Sequence, residues 1–181
     1  MTGSTFNRVP RAGLALTLAV IALSLGVGGC SLIKKKTVSC PAVAVVSGTG
    51  TLTHFKAGSE LNTDDVRYQA EISGLSLTCR KARGGVEATV TFEISARSGP
   101  ADTSGSATIP FFVAVTLVNE QVLSKRVFSN EHHFPVQTGN STFREEVVEF
   151  IPLTEGREAR DFEILIGFQL TPDQLEYNLM H

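Results

Sequence analysis

Twelve consecutive residues, Val86 to Arg97, alternate without a break between apolar and polar side chains. Val86, Ala88, Val90, Phe92, Ile94 and Ala96 share one parity; Glu87, Thr89, Thr91, Glu93, Ser95 and Arg97 share the other. A period of two sorts each set onto one face of a β-strand, whereas a helix would scatter both around its circumference. The apolar face needs a second hydrophobic layer to cover it, and that requirement constrains the rest of the chain.

Other segments supply that layer. Val66, Tyr68, Ala70 and Ile72 share one parity, and after Gly74 the apolar set (Leu75, Leu77, Cys79) moves to the other. A single glycine at such a switch reads as a β-bulge that returns the apolar residues to the core face. Lys81-Ala82-Arg83-Gly84-Gly85 supplies a hairpin turn into the Val86 strand, and Gly48-Thr49-Gly50 lies in a turn between earlier strands. After the polar loop Gly99 to Ser106, the run Ile109 to Val118 is apolar on both parities, as expected of a central strand covered on both faces. Pro110 belongs near its start or at an edge. Asn119-Glu120 reads as a tight turn into a strand at Val122–Phe128. Weaker strands are expected at His132–Val136 and Phe143–Ile151, then a turn at Gly156-Arg157-Glu158 and a last strand from Phe162 to Leu170. Thr171-Pro172-Asp173-Gln174 has the form of a capping box with proline at the first helical position, so a short helix is expected, with Leu175, Tyr177 and Leu179 docking on the domain. Many short strands without intervening helices predict an all-β fold over residues 40–181. The expected form is an antiparallel immunoglobulin-like β-sandwich with a short C-terminal helix, and a closed barrel is the competitor.

The N-terminal region has a different composition. Arg8 and Arg11 precede an apolar core of 14 residues, Leu14 to Val27, with no acidic residue before Cys30. That is the three-part pattern of a secretory signal, and the core is short of the ~20 residues a permanent membrane helix needs. Leu25-Gly26-Val27-Gly28-Gly29-Cys30 resembles the lipobox of bacterial lipoproteins, with a small residue before the cysteine and an aliphatic one three before it. The resemblance implies a signal peptide over residues 1–29, a mature chain starting at an acylated Cys30, and a tether over residues 30–39. Three fatty chains on Cys30 would attach the protein to a membrane. Ser31 follows, where the enterobacterial sorting pattern places an aspartate for retention; its absence points to the periplasmic face of the outer membrane, with inner-membrane anchoring as the alternative.

Removing Arg8 and Arg11 leaves 14 basic side chains against 18 acidic ones, a net charge of −4 for the mature chain. This balance excludes a nucleic-acid partner of the usual electrostatic kind. The one basic run, Lys34-Lys35-Lys36, lies beside the lipid, where it faces anionic headgroups or simply solvent. With Cys30 consumed by lipid, Cys40 and Cys79 remain in an oxidising compartment and are expected to form a structural disulfide. The C-x-x-C spacing of a redox pair is absent.

Candidate chemistry is sparse. His132-His133 beside Glu131, with His54 or His181, is the one histidine set that suggests a metal, yet neighbours on a strand point to opposite faces. One exposed and one packed histidine is the expected outcome. The sequence holds no nucleophile elbow, phosphate loop or dinucleotide fingerprint. Glu145 and Glu149 share a parity and read as a solvated acidic stripe. Asn140-Ser141-Thr142 has the form of a glycosylation sequon, which a bacterial export route makes irrelevant. No catalytic, cofactor-binding or metal-binding residues are expected.

Cys40-Pro41, Cys79, Gly99-Pro100 and the ending Gly167-Phe168-Gln169-Leu170-Thr171-Pro172-Asp173-Gln174-Leu175 give the mature region a likeness of its own. It resembles uncharacterised small α-proteobacterial lipoproteins. The resemblance implies export, anchoring and a sandwich domain, and brings no assigned activity. The expected role is that of a non-enzymatic structural or protein-interaction protein of the envelope, with an envelope protein as partner. A small-ligand or metal-binding lipoprotein is the alternative.

Overall fold

The computed structural model describes residues 38–118, 121–136 and 139–181. The signal segment, Cys30, most of the tether and the Asn119-Glu120 turn lie outside the described residues.

Among the described residues, eight strands form two four-stranded sheets. They are β1 (Ala42–Val45), β2 (Thr51–Phe55), β3 (Val66–Ala82), β4 (Gly85–Ser98), β5 (Ser106–Leu117), β6 (Val122–His133), β7 (Asn140–Pro152) and β8 (Phe162–Phe168), followed by helix α1 (Pro172–Met180). One sheet has the order β1-β8-β5-β6 and the other β2-β3-β4-β7. The expected all-β sandwich with a short C-terminal helix is what is observed, and neither sheet closes into a barrel. It shares the layering of immunoglobulin-like domains, with a connectivity of nested pairs: the β5–β6 hairpin in one sheet is flanked in sequence by β4 and β7, which pair in the other. The antiparallel expectation has one exception, since β1 runs parallel to β8.

The alternation in β4 has the predicted result. Val86, Ala88, Val90, Phe92, Ile94 and Ala96 are all buried, and Phe92 meets Phe111 of the opposite sheet edge to face, with ring centroids 5.3 Å apart. Each such large apolar side chain contributes about 1.5–3 kcal/mol on burial. The bulge also falls where expected. Ser73 pairs with Glu93 but Ser76 with Thr91, so Gly74 and Leu75 together oppose Phe92. Gly74 has φ +62, a left-handed conformation that glycine adopts without strain. After it Leu75, Leu77 and Cys79 pack against the core. β5 is buried on both faces between Phe111 and Thr116, as its double-parity apolar run required.

Some boundaries differ. No separate strand occupies His132–Val136: β6 continues through His133, held to Ser106 and Ala107 of β5, and Phe134 is buried just beyond its end. The last strand stops at Phe168 rather than Leu170, where the Gln169 amide donates to the Pro110 carbonyl.

α1 begins with the predicted reciprocal cap between Thr171 and Gln174. Its docking is lighter than expected and more polar. Leu175 and Tyr177 are half-buried, but Leu179 is exposed, although its tip lies close to Gly48. The Asn178 amide instead donates to the Gly48 and Thr51 carbonyls, both at 2.8 Å, while Tyr177 meets Phe55 edge to face. The helix thus covers part of β2, the edge strand of its sheet.

Candidate functional site

The two open sides of the sandwich are closed by different chemistry. On the side of β1 and β3, Cys40 and Cys79 lie at disulfide-bonding distance, with Cα atoms 5.6 Å apart, within the usual range for a bridge. The pair sits between the entry to β1, in one sheet, and β3 in the other.

On the side of β6 and β7 the closure is polar. Alternate residues of β6 (Arg126, Phe128, Asn130, His132) point across the gap toward alternate residues of β7 (Phe143, Glu145, Val147, Glu149). Arg126 donates through Nε at 3.0 Å and Nη2 at 2.7 Å to Glu149 Oε1, and through Nη2 to the Val148 carbonyl at 2.7 Å. Asn130 Nδ2 donates to Glu145 Oε2 at 2.9 Å, and the His132 and Phe143 rings lie 4.3 Å apart. The solvated acidic stripe expected of Glu145 and Glu149 is therefore corrected. Both face inward, Glu149 being 6 % exposed, because each finds a donor on the opposite sheet that offsets its desolvation. Their shared parity with Phe143, Val147 and Ile151 was the signal in the sequence.

Arg126→Ala is expected to destabilise the domain by about 1–3 kcal/mol by leaving Glu149 buried without its donor. A chemical denaturation curve checks this, and an unchanged midpoint would show that the pair contributes nothing.

His132 and His133 divide as their alternation required, one buried and one exposed. His132 Nε2 is buried, has no hydrogen-bond partner, and lies 3.6 Å from Glu145 Oε1. Burial holds this imidazole below its ordinary value and His133 adds to the shift, while Glu145 opposes it. The native state therefore resists a proton that the unfolded chain accepts near its usual pKa of about 6.5. Stability from this site is complete above that value and is lost as pH falls toward the lower folded pKa. His54 shifts in the same direction, first through burial and then through Arg67. A His132→Leu variant is expected to lose less stability than the wild type between neutral and mildly acidic pH, as read from melts across that window. Identical pH slopes would overturn the assignment.

The remaining candidates form no metal-holding set among the described residues. His54 stacks on Tyr68, His181 stacks on Tyr177, and Glu131 is exposed on β6. No group of three or more His, Cys, Asp or Glu placed to hold a metal occurs among the described residues.

No family model, curated protein or solved structure matches this chain.

Sequence reading missed a buried carboxylate in the Gly99 to Ser106 loop. Asp102 accepts hydrogen bonds from the hydroxyls of Ser98 and Ser104 and from the backbone amides of Ser104 and Gly105. Burial alone would raise its pKa, but these four donors outweigh that and hold it below the usual range. The signal was Asp-Thr-Ser-Gly, an aspartate able to bond its own backbone two residues on. Its role is to fix the crossing from β4 to β5. Beside this loop an open cleft of about 340 Å³ is lined by His54, Arg67, Tyr68, Ser104, Thr108 and Glu131 among others. Arg67 is already engaged there with Ser104.

The four sheet edges are unequal. β1 is four residues long, and β2 is five and partly covered by α1. β6 and β7 are 12 and 13 residues long and, among the described residues, carry no neighbour on their outer side. Ten of the twelve β6 residues are exposed, including Val122, Leu123 and Val127, the last by 52 %. A long exposed edge offers unpaired backbone donors and acceptors to another strand.

Proposed function

We propose that this chain is a lipid-anchored envelope protein whose sandwich is a non-enzymatic interaction module, meeting a protein partner through the β6 side. The observation that carries the reading is the β6 edge, uncovered among the described residues, with Val122 and Val127 exposed on its outer face. Strand addition to such an edge gains affinity from backbone hydrogen bonds and specificity from alternate side chains. The lipobox-like run ending at Cys30 supports anchoring, and Ser31, where an aspartate would mark retention, supports the outer membrane as address. The Cys40–Cys79 bridge suits an oxidising compartment.

A photo-crosslinking side chain at Val127, introduced into the full chain in living cells, tests the interaction. The expected result is a discrete adduct of defined mass in the membrane fraction, absent when the same probe replaces Arg83 in the β3–β4 turn. Equal or no crosslinking from the two positions would overturn the reading.

A further inference from the structure

The register of β6 says which of its backbone groups are free. The Pro110 carbonyl accepts from Gln169, and the Val118 amide donates to Asp161, so even-numbered residues of β5 direct their backbone toward the β8 side. Its odd-numbered residues therefore bond β6, where Ile109, Phe111 and Val113 oppose Asn130, Phe128 and Arg126. Lys125, Val127, Ser129 and Glu131 consequently present their N–H and C=O groups outward. Their side chains share the outer face of the sheet.

Two opposite charges on that face have no oppositely charged cross-strand neighbour among the described residues. Lys125 lies across from Ala114 and over the Phe112 ring; Glu131 lies across from Thr108. Neither forms an ion pair among the described residues. β7 has no such mismatch at its basic residue, since Arg144 faces Glu93 of β4.

We infer that the β6 edge is completed by β6 of a second copy of this chain, antiparallel about Phe128. In that register Val127 bonds Ser129 of the second copy, and Lys125 faces its Glu131, each relation occurring twice by symmetry. The two copies of Val127 meet diagonally at the centre of the outer face. Sliding by two residues in either direction sets Glu131 against Leu123 or Val127 and leaves Lys125 facing Ser129 or His133. The central register alone satisfies both charges, and it yields one eight-stranded sheet across the dimer. The occupant is thus chosen by charge complementarity of the edge with itself. The inference rests on the interaction reading above and names its partner.

The test uses the full chain, extracted from membranes in mild detergent, with mass measured by sedimentation. A dimer is expected. Val127→Pro removes an outward amide without taking a hydrogen bond from β5, so it should give a folded monomer. Lys125→Glu and Glu131→Lys each turn two attractions into repulsions and should weaken dimerisation by about tenfold or more. The double exchange restores both attractions and should return it to within about threefold of the wild type. Arg144→Glu should have no effect. A wild-type monomer, a dimer indifferent to Val127→Pro, or a double exchange without rescue would overturn the inference. If Val127 then crosslinks a different protein, the interaction reading stands and only the second copy falls. Acyl mass on the chain reports anchoring independently of every arm.

Discussion

Replacing both Cys40 and Cys79 with serine lowers the thermal midpoint of the domain by about 10 °C, a larger loss than the removal of Arg126 should cause. The bridge spans 39 residues of sequence. In the chain-entropy account a loop of that length withholds roughly 4 kcal/mol of disorder from the unfolded state, and a domain of about 150 residues moves by about 2–4 °C per kcal/mol. The effect is also local. β1 has four residues and one paired neighbour, so without the bridge little holds its start to the opposite sheet. Faster amide exchange in Ala42–Val45 than in β4 should accompany the lowered midpoint. A midpoint unchanged by the double substitution would mean that the two thiols are free in the native protein.

The fold was legible where one face alone decided the pattern. β4 alternates because its inner face packs into the core, with Phe92 against Phe111, while its outer face stays polar and partly exposed, pairing across the sheet through residues such as Glu87 and Ser95. The Gly74 bulge was legible because an unchanged parity would have turned Leu75, Leu77 and Cys79 to solvent. The β6–β7 side was misread for a physical reason. Its inward positions hold Arg126, Asn130, His132, Glu145 and Glu149, which a hydrophobic pattern assigns to the surface. The two carboxylates tolerate these positions because each meets a donor on the other sheet, and that pairing joins residues up to 23 positions apart. Docking by Asn178 was hidden in the same way, since its partners are backbone carbonyls, which no side-chain pattern reveals. The open edge itself follows from strand order, and strand order depends on which sheet each crossing enters.

Cys30→Ser removes the protein from the membrane fraction or leaves an uncleaved precursor, and in either case abolishes incorporation of labelled fatty acid. The expectation comes from the lipobox-like run ending at Cys30 and from the energetics of acyl anchors. Each buried methylene contributes about 0.8 kcal/mol, so one chain binds reversibly whereas several hold a protein on the membrane effectively for good. Among the described residues no helix is long and apolar enough to cross a membrane, so the sandwich provides no helical substitute for the lipid. Mass spectrometry of the mature N-terminus checks the site directly. A chain that begins at another residue and carries no acyl mass would overturn anchoring while leaving the sandwich, the bridge and the β6 edge as they stand. Anchoring also bears on dimerisation: confinement to a surface raises the effective concentration of one copy for another. A Cys30→Ser chain released from the membrane should therefore dimerise less in cells than the wild type at equal expression, although its β6 edge is unchanged.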